Sequence, residues 1–124
     1  MYGPERLREE LMSLGYAVEM LNVGGAAFAV ISGYEVPVGQ FIGRAIDLGI
    51  PVTPDFPRTV GASIHIKADP QLFDYSDTLP GRRNIIQSPL GPEWRYWSHN
   101  FGWQSAEKSA RLLMNQIKGI FANA

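Results

Sequence analysis

The residues best suited to chemistry in this chain are few, and most sit in its second half. His65 and His99 are the only two histidines, and imidazole is the one side chain that titrates near neutrality without help. His99 lies in the block EWRYWSHNFGWQS, residues 93–105, which also holds all three tryptophans. Flanked by aromatics, it could serve as a general acid or base. No activated nucleophile or partner carboxylate is identifiable beside it, so the favoured reading is a ring that packs on Trp97 or Phe101 and bonds local backbone. His65 alternates onto the wetter side of its strand and is read as surface decoration. Clustered tryptophans can form a contact platform or close a small core. Two of the three are expected in the core, with Trp94 or Trp97 the candidate for an exposed contact. Asp69, Asp74, Tyr75 and Asp77 could suggest acid-base work or calcium, but their spacing does not match an EF-hand loop, and solvated loop acids are the simpler reading. Arg82 and Arg83 could grip a carboxylate or phosphate through their paired donors.

Other constellations are absent. The sequence carries no P-loop, no GxGxxG after a strand, no HExxH and no GxSxG. It has no cysteine, which removes disulfides, thiolate nucleophiles, iron-sulfur clusters and thiolate zinc sites together. With two histidines and no ligand spacing between them, neither a metal nor another cofactor is expected. A net charge of −1 and scattered basic residues lack the footprint that phosphate backbones or anionic membranes require. No apolar run reaches the length of a membrane span, and the charged start MYGPERLREELMSLG has no apolar h-region. A soluble, cytoplasmic protein is expected. Its 124 residues, 45% apolar and 19% charged, suit one folded domain over 1–124.

The elements that must position these residues follow from periodicity. PERLREELMSL, residues 4–14, opens with proline where a helix tolerates it and sets Leu7, Leu11 and Leu14 on one face. YAVEMLN and AAFAVIS, separated by VGG, predict a hairpin over 16–32. RAIDLGIPV at 44–52 predicts a third strand, ended by the two prolines of TPDFP. TVGASIHIKA alternates Val60, Ala62, Ile64 and Ile66 against Gly61, Ser63, His65 and Lys67, as a one-side-buried strand does. From Asp69 to Trp103 periodicity vanishes and a long irregular segment is expected. SAEKSARLLMNQIKGIF, residues 105–121, then predicts an amphipathic helix with Ala106, Ala110, Leu113, Ile117 and Ile120 on one stripe and Ser105 as its cap. The expected fold is α+β, an antiparallel four-stranded meander flanked by an N-terminal and a C-terminal helix.

At AIDLGIPVTPDFPRTVGASIHI, residues 45–66, the chain resembles the third and fourth strands of the ubiquitin-conjugating E2 fold, with DFP at 55–57 in place of that fold's Tyr-Pro element. Together with the leading helix and WRYWSHNFGW ahead of the last one, the whole chain resembles the bacterial E2/UBC-like proteins known as prokaryotic E2 family E, which carry a similar tryptophan signature. A conjugating E2 carries its cargo on a cysteine beside a His-Pro-Asn element, and this sequence has neither. Thioester conjugation is therefore excluded by composition. What the resemblance implies is a non-catalytic, E2-like protein-binding domain whose partners are ubiquitin-like proteins, E1-like adenylating enzymes or a JAB-type peptidase. The expected contact surface combines Phe56 and Pro57 with Trp94, Tyr96, Trp97 and His99, since aromatic, charge-poor rims suit interface cores. Two alternatives stand beside it: a small enzyme pairing His99 with Asp74 or Asp77, and a small-molecule or glycan binder that stacks its ligand on the tryptophans.

Overall fold

The computed structural model describes residues 3–61, 63–69, 72, 85–98 and 109–122. In chain order the elements are α1 (Pro4–Ser13), β1 (Val18–Val23), β2 (Ala26–Glu35), β3 (Ala45–Val52), β4 (Ser63–Lys67), β5 (Ile85–Ser88), β6 (Gly91–Ser98) and α2 (Ala110–Ala122). The strands form one antiparallel sheet ordered β1-β2-β3-β4-β6-β5. The α+β class expected from the sequence is what forms, with six strands among the described residues rather than four. The added pair, β5 and β6, lies in the segment expected to be irregular. Strand β5 has four residues and the turn is Pro89-Leu90, with Gly91 and Pro92 just beyond, a composition that reads as loop.

Both helices pack on one face of the sheet. Leu7 and Leu11 of α1 and Leu113, Ile117 and Phe121 of α2 share a core with Ala29, Ile31, Leu48, Ile50, Ile64, Ile66 and Trp97. The helices also meet each other. Glu10 Oε1 accepts the backbone N–H of Ala110 at 2.8 Å, which supplies a partner and a favourable charge to the first turn of α2. The opposite face carries a second, smaller set of buried side chains, Phe28, Val30, His65 and Trp94.

Strand β2 changes phase midway. Ile31 pairs with Leu48 and Tyr34 with Ile46, so Ser32 and Gly33 together oppose Asp47. Gly33 adopts φ 68°, a conformation open to glycine at little cost, and its N–H donates to Asp47 Oδ1 at 3.2 Å. This bulge brings Tyr34 onto the helix face, where a regular strand would have turned it away.

Candidate functional site

The residues expected to line one contact surface divide between the two faces of the sheet. In β6, Trp94 and Trp97 are three positions apart, and side chains on a strand alternate every residue. Trp97 therefore joins the core at 2% exposure, edge-on to Phe121 at 6.0 Å, whereas Trp94 lies on the opposite face at 8%. Neither is the exposed contact expected of them. Tyr96 shares the Trp94 face and is half-buried.

Phe56 and Pro57 are buried as well, Phe56 at 1% within the main core. The turn that carries them, joined by a cis peptide bond, is held from both sides. Gly3 N–H donates to Phe56 O at 2.8 Å, and Thr59 Oγ1 donates to Asp55 Oδ1 at 2.5 Å. That hydroxyl, foremost among its contacts, holds the Asp55 carboxyl below its ordinary range. Phe56 and Pro57 thus anchor the loop to the core and leave it no aromatic rim. His99, Asp74, Tyr75, Asp77, Arg82, Arg83, Trp103 and Ser105 lie outside the described residues.

The histidine read as surface decoration is the one the fold encloses. His65 is 2% exposed. Its ring stands edge-on to Phe28 at 5.0 Å and to Tyr96 at 5.3 Å. Nδ1 lies 2.6 Å from Ser88 Oγ and Nε2 lies 3.3 Å from Ser63 Oγ. Ser88 Oγ also accepts the Leu90 N–H at 3.0 Å. The ring is thus bridged between two hydroxyls, either of which can donate or accept, so the neutral imidazole is satisfied at both nitrogens in either tautomer. Burial pushes the imidazole from its ordinary 6.5 down to about 4, because charging it would mean desolvating a cation among rings and hydroxyls.

Could this trio do chemistry? Ser88 and His65 are at the separation of a nucleophile and its base, yet Ser88 is 3% exposed and no described carboxylate orients the ring. The arrangement ties the β5–β6 turn to β4 and closes the small core. Gly49, paired with His65 across the sheet, makes room for it. A Cβ at Gly49 would stand 2.9 Å from Leu90 Cδ1, 3.2 Å from His65 Cβ and 3.4 Å from Trp94 Cζ3. Gly49→Val is expected to cost about 1–3 kcal/mol by overpacking, read as a lower urea midpoint; an unchanged midpoint would mean this layer is loosely filled.

Two open clefts flank the bulge. One, of about 730 Å³, is lined by Asp47, Lys67, Asp69 and Glu93, with Lys67 Nζ paired to Glu93 Oε2 at 3.3 Å. The other lies between β2 and α2 and includes Tyr34. Among the described residues no group of three histidine or carboxylate side chains is placed to hold a metal, and no helix is long and apolar enough to cross a membrane. Sequence reasoning missed His65, Ser88 and Tyr34. The alternation of β4 did group Ser63 with His65, but nothing local marked Ser88 or the phase change that moves Tyr34. Comparison with protein-family models, with curated proteins and with solved structures finds no match to this chain.

Proposed function

We propose that this chain is a non-catalytic, cytoplasmic protein-binding domain of E2-like architecture, whose partner is a ubiquitin-like protein, an E1-like adenylating enzyme or a JAB-type peptidase. The observation that carries the reading is the order of the first half. Helix α1 is followed by β1 to β4 paired in chain order, with the Phe56-Pro57 turn between the third and fourth strands seated in the core. The resemblance at residues 45–66 implies a third and a fourth strand joined by a proline-bearing segment, and this order supports that reading. Without a cysteine the partner is bound and not carried as a thioester.

A binding role asks for an exposed surface held in shape before the partner arrives. The segment between β2 and β3 meets that requirement. Val36 N–H donates to Arg44 O and Gly43 N–H to Val36 O, both at 2.9 Å, and Ile42 N–H donates to Gly39 O at 3.2 Å. On this braced loop Ile42 is 64% exposed, with Phe41 beside it partly buried against the core.

Titration of the isotope-labelled chain with each of the three partner types tests the reading. One of them is expected to move the resonances of residues 36–44. Ile42→Asp should then weaken that complex about tenfold or more, while the unfolding midpoint stays within the small range of surface substitutions. Unperturbed spectra with all three partner types would sink the proposal.

A further inference from the structure

The two edges of the sheet differ. At one edge β5 has four residues, and a register shift between Gln87 and Ser88 interrupts its ladder to β6, as is usual for a protected edge. At the other edge β1 pairs with β2 without interruption from Val18 to Val23, carries no proline and has Glu19 as its one charge. The β1–β2 turn shows which backbone groups are free. Gly24 and Gly25 take φ of 59° and 83°, the form of a two-residue hairpin turn whose flanking residues exchange both hydrogen bonds. Val23, Leu21 and Glu19 therefore bond β2, a phase that the Ser32 N–H to Ala17 O bond at 3.2 Å continues. The N–H and C=O groups of Val18, Met20 and Asn22 point away from the sheet, and no described element pairs with them. An exposed methionine lies beside that edge. Leu7 and Leu11 of α1 face the sheet and Glu10 faces α2. At about 100° per residue, Arg8 and Met12 then project to the other side, toward the free edge of β1, and Met12 is 49% exposed.

We infer that β1 is a self-association edge, where a second copy of this chain pairs antiparallel about a two-fold axis at Met20 and sets its own α1 against Met12. Such an axis, perpendicular to the sheet, joins the two sheets into one and puts both α1 helices on the same face. Helix α1 packs over β1 and β2 alike. With strands about 4.8 Å apart, each helix lies about 5 Å from the axis and the pair about 10 Å apart, a separation at which helices pack. This geometry selects the occupant. An extended peptide of another protein would pair the edge and leave Met12 in water, whereas a second copy brings a strand and a helix together. Charge sets the register. With Met20 opposite Met20 of the second copy, Glu19 faces the second copy's Leu21 and Val18 faces its Asn22. The neighbouring in-phase registers would set Glu19 against Glu19, which is unfavourable, or draw Gly24 of the turn into the ladder. The edge is separate from the partner-binding segment at 36–44, which joins β2 to β3.

The test is sedimentation of the full chain across a concentration series, with spectra of isotope-labelled chain recorded on the same samples. A dimer is expected with a Kd on the order of 10 μM, and dilution is expected to move the resonances of residues 17–23 together with Arg8 and Met12. Asn22→Pro removes an outward N–H and no bond to β2. Met12→Lys places a cation near a helix C-terminus, where it is favoured, so the helix itself is not weakened. Each variant should raise the Kd about tenfold or more and leave the far-UV circular dichroism of the monomer unchanged. Should Asn22→Pro unfold the hairpin, Met12→Lys decides. A chain that stays monomeric at millimolar concentration, dilution shifts confined to other residues, or a dimer that Met12→Lys leaves unaffected would each overturn the assignment.

Discussion

Trp97→Ala is expected to lower the unfolding free energy by about 3–5 kcal/mol, a large part of the stability a domain of this size has. The ring is 2% exposed, stacks edge-on to Phe121 of α2 and shares the main core with Leu113 and Ile117. It pairs across β4 with Ile64 and across β5 with Ile85. Truncation therefore opens a cavity where the C-terminal helix meets the centre of the β4-β6-β5 half of the sheet, and neighbours fixed on two rigid elements cannot collapse into it. Urea denaturation followed by far-UV circular dichroism gives the number. A loss below about 1 kcal/mol, the range of ordinary substitutions, would mean that the ring is not part of the core. Any binding defect of this variant is a folding effect, which is why the partner test uses Ile42.

Acid sensitivity centred on His65 is the second large effect. Its folded pKa is about 4 against an ordinary 6.5, so between those values the unfolded chain binds a proton that the folded chain does not. Stability contributed by the neutral ring is complete above about pH 6.5, falls as the pH drops through the window, and is gone below about pH 4. The full swing is about 3 kcal/mol. The groups facing the ring are Ser63 on its own strand, Ser88 and Leu90 from the β5–β6 turn, Tyr96 from β6, Gly49 from β3 and Phe28 from β2. Among the described residues, charges lie further along that face, where Asp47 pairs in register with Lys67 and Lys67 bonds Glu93. His65→Gln keeps a polar side chain and removes the titration, and every other group is common to the two proteins. Unfolding free energies measured from pH 7.5 to pH 4 should diverge in slope. Parallel curves would show that the ring is charged, or hydrated, in the folded protein.

How much of this was legible beforehand depends on the range of the interactions involved. Helix α1 and strands β1 to β3 follow from local patterns: a proline-started apolar stripe, a Gly24-Gly25 turn between alternating runs, and an apolar stretch stopped by prolines. Strand β6 was hidden because Pro89, Gly91 and Pro92 break its start, and because aromatic residues spaced three apart suggest one surface when a strand sends them to two. His65 was assigned to a wet face on the correct alternation. Whether that face is wet depends on Phe28, Ser88 and Trp94, which are between 23 and 37 residues away in sequence.

By itself the sequence determined the α+β class, the position of the leading helix and first strands, and the exclusion of thiol chemistry. These rest on periodicity and composition, which act over a few residues or over none. Tertiary structure alone decided which side of each strand is buried on both faces, that Trp94 and Trp97 part company, that a bulge at Gly33 brings Tyr34 to a cleft, and that His65 is sealed between two hydroxyls. The physical reason is that burial belongs to the assembled sheet: a side chain's environment is set by whichever distant strand the register brings against it, and one residue of phase in β2 changes that environment without leaving a mark in the local pattern.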